Sequence, residues 1–202
     1  EPYRRQRQMC IRDSRYSVVP YYHEDFDKQI RVERLFSSDL AQFLDGEVTK
    51  FSDIENCILF MSQNIYESLG NLNLYLQVVE GYFSTLDSTS ILFIKFHPRE
   101  QEEEREAVIK IARKYHLAFH VLSAQMNIPV EYYLQYMKFK EIVTFFSSTA
   151  MYNGYLFPEM KFTFLLRPFY DLCKICNEKN ISQLENLLSL LDSCQNKQKQ
   201  NA

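Results

Sequence analysis

A chain of 202 residues has room for one large domain, or for one domain and part of a second. Its hydrophobic content of 46%, with 15% aromatics, suffices for a sizeable core, while a net charge of −3 excludes a general nucleic-acid binder. No apolar run approaches the roughly 18 residues of a membrane span, no secretory signal opens the chain, and the cysteines lack framework spacing, so a reducing, cytoplasmic setting is expected.

Residues 1–14, EPYRRQRQMCIRDS, are polar, arginine-heavy and without apolar period. They read as a non-native, adapter-derived segment and carry no weight in the fold expectation. Without their four arginines and two acids the net charge moves from −3 to −5. With no initiating Met, the chain reads as the C-terminal part of a longer protein. Residues 15–53 combine a short helix around Asp39 to Leu44 with much loop, and read as the trailing edge of a preceding domain plus a linker. Within them Asp25-Phe26-Asp27 has the form of a metal-binding DxD. It lies outside the strand-rich region and reads as a solvated loop.

From Glu55 onward short apolar runs alternate with helical patterns. NCILFMS is the first expected strand and NLNLYLQVVEGYFSTL the helix after it. ILFIKF is the second strand, followed by a charged run that begins a helix at Arg99 or Glu100. AFHVL, EIVTFF and KFTFLL supply three more strands, with VEYYLQYMKF and STAMYNGYLF as intervening helices. Continuous apolar strands of this length, separated by helices, imply a Rossmann-like, doubly wound parallel α/β sheet covered on both faces. This domain is expected over residues 54–194, with 195–202 a polar tail. Cys173-Lys174-Ile175-Cys176 has redox-motif spacing but no second pair to complete a zinc site, and reads as ordinary thiols on a helix. The apolar positions from Leu184 to Leu191 suit docking on another domain or a peripheral membrane contact. A polar face that is not notably basic favours protein.

In an open parallel sheet, ligands bind beyond the carboxyl ends of the strands. The first strand leads into Ser62, Gln63 and Asn64, the second into His97 and Pro98, and the fourth into Ser147, Ser148 and Thr149. Hydroxyls at the start of a helix can cap it, or can join its free N–H groups in holding an anion. Pro98 fixes the backbone beside His97 and restricts the histidine to an extended conformation. An imidazole held against a phosphate would have its pKa raised by the anion and could donate a proton near neutral pH. Glu131, at the start of a helix, suits the helix dipole or could accept two sugar hydroxyls. His116 and His120 read as surface or satisfied residues. With four glycines and no GxGxxG, a dinucleotide cofactor is not expected.

KFHPRE, FFSSTA and PVEYYL, in that set and each at a strand end or helix start, resemble the C-terminal half of bacterial sialyltransferases of the two-domain GT-B type. The similarity runs from about Glu55 to Arg167, and is nearest in character to glycosyltransferase family 52 and the capsular polysialyltransferases. The resemblance implies a metal-independent, inverting transfer of sialic acid from CMP-sialic acid, with no separate cofactor, to a glycan such as lipooligosaccharide or capsular polysaccharide. It implies His97 as the catalytic residue that assists departure of CMP. Pro98, Gln63, Ser147, Ser148 and Thr149 would form the donor site, Glu131 would bind ribose, and residues 15–53 would be the remnant of the acceptor domain. The family's general base is an acid in a D/E-D/E-G motif well upstream. Leu44-Asp45-Gly46 matches it only in part and reads as a turn, so the base is expected in sequence preceding this chain. Two alternatives stand. CDP-glycerol glycerophosphotransferases use similar motifs, but an acid precedes their serine pair where Phe145-Phe146 stands here. A non-catalytic Rossmann-like module is the other.

Overall fold

The NCILFMS strand is β1, Cys57–Met61, and all five of its side chains are buried. A strand with no exposed face must be covered on both sides, which is the condition of a central strand in a parallel sheet. β2 (Ile91–Lys95) and β4 (Glu141–Thr144) flank it, with β3 (Ala118–Val121) and β5 (Lys161–Phe164) at the edges, in the order β3-β2-β1-β4-β5. Every pairing is parallel, with Met61 level with both Lys95 and Thr144. Burial falls outward accordingly: β2 and β4 keep buried centres, whereas β3 is largely exposed. The expected Rossmann-like sheet is therefore present, strand for strand.

The computed structural model describes residues 56–69, 71–122, 130, 133–134, 137–147, 149 and 160–200. All fall within one compact unit, Ala41–Ala202. The Asp25–Asp27 and Asp45-Gly46 motifs lie outside the described residues. Of the helix expected at VEYYLQYMKF, Val130, Tyr133 and Leu134 are helical but Met137, Lys138 and Phe139 are not, and the other four residues lie outside the described ones. Of that expected at STAMYNGYLF only Thr149, which is helical, is described.

Alternation along the strands divides the core. Ile58 and Phe60 of β1, Leu92 and Ile94 of β2, and Val143 of β4 share one face and one apolar cluster. Five helices pack on that cluster: α1 (Ile65–Leu69), α2 (Leu72–Phe83), α3 (Glu102–Lys114), α4 (Leu166–Ile175) and α5 (Ile181–Gln200). The other face is covered from the segment after β3: Phe139 meets Phe93 edge-on at 5.7 Å, and Tyr133 lies under the Lys95 ammonium at 5.7 Å.

Local chemistry sets the helix limits. Asn71 caps α2 by accepting from Leu74 N–H at 3.2 Å, and the stripe Leu74, Tyr75, Val78, Val79 and Phe83 faces the sheet. α3 starts at Glu102, not at Arg99 or Glu100 as expected, because Gln101 takes the cap position and donates its N–H to Glu104 at 2.7 Å. Three glutamates in its first turn and Arg113 and Lys114 in its last suit the helix dipole. Cys173 is buried on α4 and Cys176 is exposed at its end, both as free thiols. Leu184, Leu188 and Leu191 of α5 pack into the domain's own core, so its apolar face is already occupied by protein. Among the described residues, no helix is long and apolar enough to cross a membrane.

Candidate functional site

The strand order reverses direction between β1 and β4, since β1 is followed by β2 on one side and β4 lies on the other. In folds of this kind that switch point opens a crevice at the carboxyl ends of the strands. The residues lining its floor are those that follow β1, β2 and β4, and hydrogen bonds tie all three ends together.

The first tie crosses the switch point. Gln63 Oε1 accepts the Phe146 N–H at 2.6 Å, one residue before Ser147. This bond fixes the amide's orientation and leaves its Nε2 hydrogens as what Gln63 can offer a ligand. Phe145 supports the same turn from beneath. Its buried ring stacks on Tyr75 with centroids 4.4 Å apart and meets Phe169 edge-on at 5.7 Å. Ser147 and Thr149 follow, both buried.

The second tie joins β1 to the His-Pro turn. His97 C=O accepts from Glu100 N–H at 3.0 Å, closing a four-residue turn with Pro98 at its second position, where the fixed φ of proline fits. Glu100 returns the bond through its side chain: Oε2 accepts the His97 N–H at 2.5 Å. Its Oε1 accepts from Ser62 Oγ, also at 2.5 Å. Ser62 Oγ in turn lies 2.8 Å from Tyr75 Oη, which accepts the Gln63 N–H at 3.2 Å. With Ser62 donating to the carboxylate, Tyr75 donates to Ser62, and one directional chain runs from Gln63 to Glu100.

Glu100 is only 3% exposed. Burial pushes its carboxyl up to about 7, against the pull of the Ser62 and His97 hydrogen bonds. Tyr75, wholly enclosed, is raised above the ordinary phenol range by burial and by the charge of Glu100.

His97 is half-buried and Pro98 exposed. Burial lowers the imidazole pKa, with Arg99 and Lys95 adding to the effect and Glu67 opposing it. The surroundings of His97 therefore favour its neutral form. Its Nδ1 accepts the Arg99 N–H at 3.3 Å, which places the remaining proton on Nε2. The rise in pKa expected from the sequence belongs to an imidazole with an anion held against it. The turn itself presents an Nε2–H donor, and a nearby anion would favour uptake of a second proton from solvent.

Of the residues expected at the site, the network brings Gln63, His97 and Pro98 onto one frame, and Ser147 follows directly on the Gln63 contact. Glu131 and Ser148 lie outside the described residues. Glu100 and Tyr75 were missed, and Ser62 was noted only as a strand-end residue. A faint signal for Glu100 existed in His97-Pro98-Arg99-Glu100: an acid three residues after a turn's first residue can accept its N–H. His116 and His120 are exposed, the latter stacked on Phe93 at 5.4 Å.

Residues 5–166 match the model of the alpha-2,8-polysialyltransferase (POLYST) family. The chain belongs to that family. The polysialyltransferase match takes in all five strands, the His-Pro turn and the Ser147-Ser148 segment, and ends at the first residue of α4. Membership makes the chain a sialyltransferase-type glycosyltransferase. No curated protein matches it.

Proposed function

We propose that this domain binds the nucleotide of CMP-sialic acid and that His97 assists departure of CMP during transfer of the sugar to a glycan. The observation that carries the reading is the His97 turn, locked at the strand ends beside the switch point with its Nε2 proton available. Family membership supports the reaction class.

In this reading an acceptor hydroxyl attacks the anomeric carbon from the face opposite the phosphate. The bond from that carbon to the phosphate oxygen breaks, and its electron pair leaves with CMP. The sugar carries oxocarbenium character at the transition state while negative charge grows on the phosphate. His97 donates from Nε2 to that phosphate. Ser147, Ser148 and Thr149 hold its other oxygens through hydroxyl and backbone N–H groups at the start of a helix. Gln63 adds its Nε2 donors, and Glu131 accepts the ribose hydroxyls. No metal is needed to neutralise the leaving group. The acceptor's proton goes to a carboxylate outside this domain, which is read as the C-terminal half of a GT-B enzyme working at the cytoplasmic side of a membrane. The acceptor is a surface glycan such as lipooligosaccharide or capsular polysaccharide.

A thermal-shift panel with CMP, CDP, UDP and GDP, on the chain and on His97→Ala, tests this. A rise in Tm specific to CMP and weakened in the variant is expected. Preference for CDP would favour a glycerophosphotransferase donor instead. A folded chain indifferent to all four nucleotides would remove the donor-site reading.

A further inference from the structure

We infer that Glu100 is a positioning residue for His97: its carboxylate fixes the His-Pro turn, and with it the imidazole, against the end of β1. The consequence for nucleotide binding rests on the donor-site reading above; the geometry does not.

Three observations converge on Glu100. Its two carboxylate oxygens are divided between two strand ends, Oε2 on the His97 N–H and Oε1 on Ser62 Oγ, each at 2.5 Å. The backbone of the same turn closes in the opposite sense, from Glu100 N–H to His97 C=O at 3.0 Å. The imidazole's tautomer is then set within the turn, by Arg99 N–H on Nδ1 at 3.3 Å. A turn that served only to change chain direction would not require this. Proline at its second position and the backbone bond suffice, and a buried carboxylate is an expensive way to fill space. What the carboxylate adds is a rigid link between the His97 backbone and Ser62, whose hydroxyl is in turn held by Tyr75. Catalytic groups perform only when neighbouring groups hold them to within a fraction of an ångström. Glu100 is buried, with its two oxygens on His97 N–H and Ser62 Oγ, and acts through His97.

The test uses the full chain, nitrogen-15 labelled, at about pH 8, above the ordinary histidine range. The His97 ring nitrogens are identified by their loss in His97→Ala. In the native chain they should show the Nε2–H tautomer with Nδ1 accepting. In Glu100→Gln the two shifts should move towards those of a tautomer mixture, with His116 and His120 unchanged. Calorimetry with CMP is the second readout. Glu100→Gln should weaken CMP by roughly tenfold, the scale of a lost charge-assisted hydrogen bond. In a His97→Ala background the same substitution should change affinity by less than about twofold, because its effect passes through the imidazole. An unmoved His97 ring, or an equal loss of affinity with and without His97, reduces Glu100 to a structural residue and overturns the inference. If the native chain does not bind CMP, the donor-site reading falls, and the ring nitrogens still decide the role of Glu100. Tyr75→Phe keeps the Phe145 stack and removes the hydroxyl that steadies Ser62 and also accepts the Gln63 N–H. It carries the ring-nitrogen readout, which Gln63 does not touch, if Glu100→Gln fails to fold.

Discussion

Gln63 Oε1 accepts the backbone N–H of Phe146 at 2.6 Å, joining the ends of β1 and β4 across the point where the sheet changes direction. A side chain proposed to contact the donor is thus also the clamp on the turn that leads into Ser147. Gln63→Glu keeps the acceptor but loses the Nε2 donors and adds a negative charge. Its CMP affinity should drop more than about tenfold, while Tm stays within a few degrees of the native value. Gln63→Ala loses the clamp itself, about 1 kcal/mol, and should lower Tm as well. Titration calorimetry beside thermal melts separates the two; equal CMP affinity in Gln63→Glu would place the ligand elsewhere.

Neutral His97 has a pH signature. Its folded pKa is lowered by burial and by Arg99 and Lys95, so the folded chain binds this proton less readily than the unfolded one. The resulting stability is present above the unfolded pKa, about 6.5, and is lost as pH falls through it. His97→Gln should therefore narrow the difference in stability between about pH 8 and pH 5.5, as seen in urea melts. Two parallel curves would mean that His97 is not buried enough to be perturbed.

Glu100 has the opposite sign. Its folded pKa is raised from 4.5 to about 7, so the folded state holds the proton more tightly than the unfolded chain. Stability is then present below about 4.5 and is lost as pH rises towards 7, by something of the order of 3 kcal/mol. Relative to Glu100→Gln, the native chain should lose stability on going from pH 4.5 to 7.5. A difference that is flat across that window would contradict a raised carboxyl.

The stack of Tyr75 on Phe145 underlies both ties of the site. Phe145 is fully buried, so Phe145→Ala should cost about 3–5 kcal/mol and lower Tm by roughly 10 °C. Tyr75→Phe keeps the ring contact and should cost only about 1–2 kcal/mol. If the two variants melt alike, the stack is not what supports the turn after β4.

Thiol labelling tests the reading of the Cys173–Cys176 spacing. Cys173 is buried, and burial together with Glu178 and Cys176 pushes its thiol up to about 11. Cys176 is exposed. Alkylation of the native chain followed by peptide mass spectrometry should mark Cys176 quickly and leave Cys57 and Cys173 until unfolding. Rapid labelling of both Cys173 and Cys176, or their oxidation to a disulfide, would restore a redox role.

Much of the fold was legible in the chain because its determinants are local. Five short apolar runs with helical patterns between them allow little other than a covered parallel sheet, and each run became a strand. His97-Pro98 and Ser147 could be placed at strand ends for the same reason, since the ends of apolar runs are visible in one dimension. Strand order was not visible, because the pairing of β1 with β4 joins residues some eighty positions apart and depends on how the whole sheet closes. Glu100 stayed hidden for a related reason. Along the chain it is one more acid in REQEEERE, set apart only faintly, by its place three residues after His97, from neighbours that face water. Only the parallel register, which sets Met61 beside Lys95, brings Ser62 within reach of it and turns a surface-like glutamate into the buried brace of His97.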